Sequence, residues 1–203
     1  MISVIIIDDH PLVLSGFEFI LDNQSDIKLI HTFTRAEDAL LFLETNSVDV
    51  VLVDINMPGM NGIEAALLVK KSQPETRVIA ISNISEGSIV QRMLDAGASG
   101  YLLKNVSASE LIHAIHAVNT GNKILSAEIE PIMKQTESVV PKITQRELEV
   151  LRLMVTGKTT PQIAEQMFIS PLTVESHRRN LLQKFKVSNS ASLIHRATEL
   201  KFI

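Results

Sequence analysis

Cysteine is absent from the 203 residues, which excludes disulfide frameworks, thiol catalysis and thiolate zinc sites. No apolar run comes near the roughly 20 residues that a membrane-spanning helix needs. The chain opens on an apolar strand pattern, with no charged leader or signal core. A cytoplasmic protein with no membrane partner is therefore expected, and the Asn-x-Ser triplets at Asn23, Asn83 and Asn105 read as chance matches. Apolar residues are plentiful, 45% against 21% charged, enough to bury a sizeable core and too many for a disordered tail. The length suits one large domain or two small ones.

Charge is unevenly spread. Residues 1–120 carry 7 Lys and Arg against 15 Asp and Glu, a net −8, whereas residues 141–203 carry 10 against 5, a net +5. An acidic front and a basic tail point to two modules with different partners. A small basic module invites a nucleic-acid reading.

Along the front, short β-rich apolar runs at 2–7, 27–33, 48–53, 78–81 and 101–103 alternate with helical patterns at 11–21, 35–43, 62–71, 88–96 and 108–118. Five β/α units with nearly continuous apolar strands predict an α/β fold, a five-stranded doubly wound parallel sheet with helices on both faces. Ligand chemistry in such a sheet gathers at the carboxyl ends of the strands, near the topological switch point. From 121 to 141 the periodicity weakens, and this segment is read as a linker with room for one short helix. Beyond it, patterns at 145–155, 161–167, 171–185 and 190–200 predict four short helices. Gly157 marks a stop, and Ser170-Pro171 a cap and first-turn residue. They suit a small all-α helix-turn-helix domain. The domain reading is thus 1–120, 121–141 and 142–203.

Strand one runs into Asp8-Asp9, and strand three into Asp54-Ile-Asn-Met-Pro-Gly-Met-Asn-Gly. In a parallel sheet these carboxylates converge on one edge, where they repel one another unless a cation lies between them. A hard divalent ion answers that repulsion. Magnesium does so best, because few protein ligands are available and it keeps waters or takes phosphoryl oxygens. Strand four ends at Ser82 and strand five at Lys104. The four strand ends thus offer carboxylates for a metal and for nucleophilic attack, with a hydroxyl and an ammonium for a phosphoryl group.

Taken singly, each residue has a plainer reading, since acidic residues at strand ends are commonly solvated loops or helix caps. Four successive strand ends carrying this chemistry are hard to obtain by chance. His10, beside the acidic pair, is readable as a loop residue or as a ligand. His113 and His116 have ligand spacing on a helix, but with no carboxylate or cysteine beside them they read as surface residues. Gly59 and Gly62 permit the turn after Asp54.

Through Asp8-Asp9, the stretch DINMPGMNG, Ser82 and Gly100-Tyr-Leu-Leu-Lys104, residues 1–120 resemble the flavodoxin-like receiver domain of bacterial two-component response regulators. The resemblance implies that Asp54 accepts a phosphoryl group from a phosphohistidine on a sensor histidine kinase. It implies Mg2+ held by the side chains of Asp9 and Asp54, by the Asn56 backbone carbonyl, and by Asp8 largely through water. It assigns Ser82 and Lys104 to the phosphoryl oxygens, and Tyr101 to the part of an aromatic that changes rotamer with state. Ser82 stands where many receivers carry Thr, and the hydroxyl is kept. On this reading the chain is not an enzyme, beyond taking a phosphoryl group from a donor and slowly losing it.

In the tail, Gly157-Lys158-Thr159 imitates the end of a phosphate-binding loop, but position 152, where that loop needs its first glycine, is Arg. Ile163, Ala164 and Met167 are expected to bury one face of a first helix, and Val174, Leu181 and Phe185 that of a second. Thr173, Glu175, Ser176, Arg178 and Arg179 are left on or near the exposed side. A helix capped at Ser170 and polar in its first turns can enter the major groove of double-stranded DNA, its first turns meeting base edges and its cations the phosphates. Leu193, Ile194, Ala197 and Leu200 form an apolar stripe that reads as core.

Thr144-x-Arg146-Glu147-x-Glu149-Val150-Leu151, Gly157, Ile163-Ala164, Ser170, Thr173-Val174, His177 and Lys184-Phe185-x-Val187 resemble a LuxR-type helix-turn-helix. Joined to the receiver, they make nearly the whole chain resemble the NarL/FixJ class of transcription regulators. The resemblance makes Arg146, Glu147 and Glu149 mainly structural and turns Thr173, Glu175, Ser176 and Arg179 toward DNA. It also implies a homodimer when phosphorylated, with part of the last helix as a dimer surface. The candidate DNA contacts are Thr173, Glu175, Ser176, Arg178, Arg179 and Lys184, with Arg178 equally readable as a solvated cation. Glu175 and Ser190 depart from the class, where Lys and Arg are usual.

Two rival readings stay open. A phosphohydrolase with an aspartyl-phosphate intermediate commonly keeps its nucleophile and acid/base Asp two apart after one strand, a spacing that Asp8, Asp9 and Asp54 do not reproduce. A regulator whose tail grips a protein is opposed by the +5 charge of that tail.

Overall fold

A computed structural model describes residues 1–136 and 141–203, which form two compact units. The first is built on one parallel sheet in the order β2-β1-β3-β4-β5-β6. Its strands are β1 (Ile2–Ile7), β2 (Ile27–Phe33), β3 (Val50–Asp54), β4 (Arg77–Ser82), β5 (Gly100–Leu103) and β6 (Ile124–Leu125). Side chains alternate along the central strands. Ile5, Ile7, Val51, Val53, Val78 and Ala80 enter one core, while Val4, Ile6, Val50, Leu52, Ile79 and Ile81 enter another. With both faces apolar, both need helices.

Helices α1 (Pro11–Asp22) and α5 (Ala108–Asn119) close the second of these cores with Phe17, Leu21, Leu111 and Ile115. Helices α2 (Ala36–Leu43), α3 (Gly62–Ser72) and α4 (Gly87–Asp95) close the first with Leu43, Val69, Val90 and Met93. The chain leaves β1 for β2 on one side and returns to β3 on the other. The switch point therefore falls between β1 and β3, whose carboxyl ends bracket a crevice.

One expectation needs correction. The sheet has six strands, not five, because 124–125 pair with β5 through Gly100 opposite Ile124 and Tyr101 opposite Leu125. In the segment 121–141 the one short helix for which the sequence leaves room is present, and it and β6 belong to the first unit. Helix α6 (Ile129–Thr136) follows β6 and packs on α4, with Ile129 fully buried in the first core. A two-residue strand is too short to leave a periodic signal, which is why the sequence pattern fades there. Residues 137–140 of the expected linker lie outside the described residues.

The second unit comprises α7 (Gln145–Val155), α8 (Thr160–Met167), α9 (Pro171–Phe185) and α10 (Ser190–Glu199). Its core contains Val150, Leu151, Ile163, Ala164, Val174, Leu181, Phe185, Leu193, Ala197 and Leu200. Thr144 and Glu147 start α7 with a reciprocal capping box, and Ser170 caps α9 by accepting from the Thr173 N–H. Phe168 ends α8 in the left-handed region at φ 54° and so turns the chain into α9. No described helix is long and apolar enough to cross a membrane.

Candidate functional site

Because β1 and β3 are paired with Ile7 opposite Val53, the residues that leave them meet. Asp8, Asp9, His10 and Asp54 bring their ligand-type atoms within 4.8 Å of one another. Asp8 and Asp54 are nearly inaccessible, at 2% and 3% exposure. From the end of β5, Lys104 places Nζ 2.7 Å from Asp8 Oδ2 and 3.1 Å from Asp54 Oδ2. Its backbone N–H donates to the Ser82 carbonyl at 2.9 Å, which fixes the lysine to β4.

The electrostatics follow from this burial. Desolvation pushes the Asp54 pKa up, the Lys104 ammonium beside it holds that rise back, and the Asp8 charge adds to it. Burial alone would lower the Lys104 pKa, but its hydrogen bonds to Asp8 and Asp54 outweigh that and leave it raised.

The His10 N–H donates to Asp8 Oδ1 at 2.9 Å, and its imidazole Nδ1 lies 3.1 Å from that oxygen and 2.9 Å from Asp9 Oδ1. His10 is thus a loop residue whose imidazole lies against both carboxylates. His113 and His116 are not part of the cluster, and His116 instead faces Asp26 at 3.3 Å.

The cluster suits a hard cation. Asp9 Oδ1 is buried without a hydrogen bond, despite the nearby imidazole. Of the three carboxylates only those of Asp8 and Asp54 reach the Lys104 ammonium, and every carboxylate donor is an oxygen, the set that magnesium or calcium takes.

The loop after Asp54 is shaped by two glycines. Gly59 adopts φ +79°, and at Gly62 a Cβ would lie 2.1 Å from the Asp54 carbonyl oxygen. The start of α3 can therefore press against the Asp54 backbone only without a side chain. Asn61 caps that helix by accepting from the Ile63 and Glu64 N–H groups.

Ser82 and Tyr101 are both fully buried. The Ser82 hydroxyl accepts from the Ile84 N–H at 3.1 Å, and the Tyr101 hydroxyl donates to the Ile84 carbonyl at 2.7 Å. Burial pushes the Tyr101 pKa up to about 12, with the Ser82 hydroxyl opposing and the Asp54 charge adding to the rise. Tyr101 also accepts the Ser126 N–H on its own carbonyl at 2.9 Å, tying β5 to the segment that leads into α6. Sequence reasoning missed Ile84 and Ser126 because Ile84 and the Tyr101 carbonyl contribute backbone groups, which no residue type announces.

On α9 the polar residues separate into two groups. Thr173, Ser176 and Arg179 are exposed. Arg178 is tied inward, donating to Thr160 Oγ1 at 2.7 Å and to Ser190 Oγ at 3.1 Å, while Thr160 also donates to Glu175 Oε1 at 2.5 Å. Lys184 donates to Glu147 Oε2 at 2.7 Å. Arg178, which the sequence leaves between DNA contact and solvated cation, and Lys184, a candidate DNA contact, thus both have intramolecular partners. Burial alone would raise the Glu147 carboxyl pKa, but Lys184 and Thr144 bring it below the usual value. Of the stripe on α10, Leu193, Ala197 and Leu200 are core and Ile194 is half-buried. Phe168 and Leu172, to which the sequence pattern gives no role, are 94% and 77% exposed.

Comparison with known proteins matches both units. The family described as response regulator receiver domain matches residues 4–116, and that of bacterial regulatory proteins, luxR family, matches 141–197. Response regulator UvrY of Escherichia coli K12 is 33% identical over 204 residues, covering 97% of this chain and 94% of UvrY. Transcriptional regulatory protein UhpA of Salmonella typhimurium is 36% identical over 196 residues, covering 97% of each. Among solved structures, RcsB of Salmonella enterica serovar Typhimurium, bound to promoter P1flhDC with the phosphomimetic BeF3−, aligns with a TM-score of 0.66 at 25% identity over 98% of both chains. ChrA, a response regulator of a heme-sensing two-component system, aligns with a TM-score of 0.55 at 30% identity, covering 100% of this chain and 98% of ChrA.

Proposed function

The chain belongs to the NarL/FixJ class of response regulators and is a DNA-binding transcription regulator of a two-component system; from that premise we propose that a sensor histidine kinase phosphorylates it on Asp54 and that it then binds duplex DNA as a homodimer. The observation that carries the reading is the position of Lys104, within 3.1 Å of Asp54 at the end of β3 and closer still to Asp8.

An Asp54 carboxylate oxygen attacks the phosphorus of the kinase phosphohistidine. The P–N bond breaks, and the imidazole leaves with a proton taken from solvent. The Lys104 ammonium and the Ser82 hydroxyl lie at the neighbouring strand ends, where they neutralise and hold phosphoryl oxygens. The Asp9 and Asp54 side chains and the Asn56 carbonyl would hold Mg2+, and Asp8 would reach it through water. When bound, Mg2+ offsets the charge of carboxylates and phosphoryl oxygens. The chain is no turnover enzyme on this account, since it takes one phosphoryl group and slowly loses it.

The new group brings about 1.5 to 2 negative charges and strong acceptors. To bond it, the Ser82 hydroxyl turns from the Ile84 N–H, and the peptide that also holds Tyr101 is freed to move. A coupling of about 1 to 3 kcal/mol is the usual size for such a link. Residues 1–120 serve as receiver, 121–141 as connection with β6 and α6 built onto the first unit, and 142–203 as the DNA-binding domain. Thr173, Glu175, Ser176 and Arg179 face the duplex, while Arg178 and Lys184 brace the bundle beneath it. A regulator with duplex DNA as its target works in the cytoplasm.

Two measurements test this. With a small phosphodonor and Mg2+, intact mass should rise by about 80 Da, one phosphoryl group, and Asp54→Asn should abolish the adduct. An adduct that persists in Asp54→Asn would remove the assignment. Affinity for duplex DNA should fall with salt at about −0.9 in log-log slope per neutralised phosphate, and a salt-independent affinity would count against phosphate contacts.

A further inference from the structure

Leu172 occupies the first turn of α9, directly after Pro171, with 77% of its surface exposed. The core of the second unit takes Val174, Leu181 and Phe185 from this helix and leaves Leu172 out. The hydroxyls around it are already engaged. Ser170 Oγ and Thr173 Oγ1 are hydrogen-bonded to each other at 2.8 Å, and Ser176 Oγ donates to the Leu172 carbonyl at 3.0 Å. Farther along, Glu175 and Arg178 are held by Thr160. The isobutyl group of Leu172 is thus a large apolar feature on a turn whose hydroxyls already have partners.

On a surface that meets duplex DNA, phosphates favour cations and base-edge donors and acceptors favour polar groups. An aliphatic side chain gains most from the one apolar feature of the major groove, the thymine 5-methyl group. We propose that Leu172 packs against the 5-methyl of a thymine and sets a preference for that base at one position of each half-site. The proposal rests on the reading of α9 as the helix that enters the major groove.

Replacing thymine by deoxyuridine removes the methyl and keeps every hydrogen-bonding group. A duplex selected from a random pool with the full-length, phosphorylated protein is the probe, and its thymines are replaced one at a time. For wild type, one position per half-site should weaken binding about fourfold, the worth of one buried methyl-sized group. For Leu172→Ala that position should become indifferent to the methyl, while Leu172→Met should keep the discrimination. Should wild type and Leu172→Ala respond alike at every thymine, the proposal falls while DNA binding stands. Should wild type bind no duplex even at low salt, the DNA reading of α9 falls, and the proposal with it.

Discussion

The Tyr101 hydroxyl donates to the Ile84 carbonyl at 2.7 Å, and the N–H of the same residue donates to the Ser82 hydroxyl at 3.1 Å. One peptide segment is therefore held from both sides, by a tyrosine from β5 and by the hydroxyl expected at the phosphoryl group. Whatever recruits Ser82 elsewhere releases one of these two restraints.

Tyr101→Phe removes the donor and leaves the Ile84 carbonyl without it. The first unit should lose about 1 kcal/mol, the ordinary net worth of a buried hydrogen bond. Phosphorylation should also change DNA affinity less than in wild type. Urea unfolding and paired binding curves would check both, and unaltered coupling would deny the tyrosine its part.

Lys104→Met strands Asp8 and Asp54, both almost fully buried, without their shared ammonium. Losing one partner of a buried ion pair costs about 3–5 kcal/mol. The stranded Asp54 carboxyl, already raised from 3.8 by burial, rises further and binds a proton more tightly folded than unfolded. The variant should therefore gain stability as pH falls through the raised folded-state value, until the unfolded carboxyl is protonated too. Thermal melts across pH decide it, and a variant that only weakens on acidification contradicts the pairing.

Gly62→Ala sets a methyl group 2.1 Å from the Asp54 carbonyl oxygen. Relief requires backbone movement of α3 or of the Asp54 loop, so a loss of about 1–3 kcal/mol is expected together with slower phosphorylation of Asp54. Mass-detected phosphorylation time courses would show it. Wild-type rates would mean the loop adapts freely.

The carboxyl of Glu147 is held below its ordinary 4.5 by Lys184 and Thr144 in spite of burial. Its contribution is fully present above the unfolded value and is lost as pH falls through the lower, folded one. Lys184 is a third exposed, and solvent screening keeps the pair near about 1 kcal/mol. Glu147→Gln should melt earlier at pH 7 and show a flatter acid limb in the transition of the second unit.

Glu175 accepts a hydrogen bond from Thr160. Glu175→Ala should thus lower the stability of the bundle slightly and leave base preference unchanged in competition against single-base operator variants. Relaxed preference at one position would instead show that Glu175 reads a base.

The acidic site was legible because each of its side chains follows a strand whose apolar run is visible, and a parallel sheet forces such ends together. Helix α9 of the DNA-binding unit was legible through Ser170, Pro171 and its buried Val174, Leu181 and Phe185. The partners of its cations were not. Glu147 lies 37 residues from Lys184 and Thr160 lies 18 from Arg178, and charge in a sequence says nothing of what it meets. Strand β6 escaped notice because two residues carry no period, and Ile84 because its contribution is a peptide.

Strand β6 has one more effect. A sheet ending at β5 would leave a row of vacant backbone donors and acceptors. Here Ile124 donates to Ser99, Ser126 donates to Tyr101, and the Leu103 N–H is taken by the Ser126 hydroxyl. The border of β5 is covered by the chain's own next few residues, so the sheet ends on this side at the two residues of β6. So short an edge offers a neighbouring polypeptide little template for adding a strand, a protection that comes from strand length and not from surface charge.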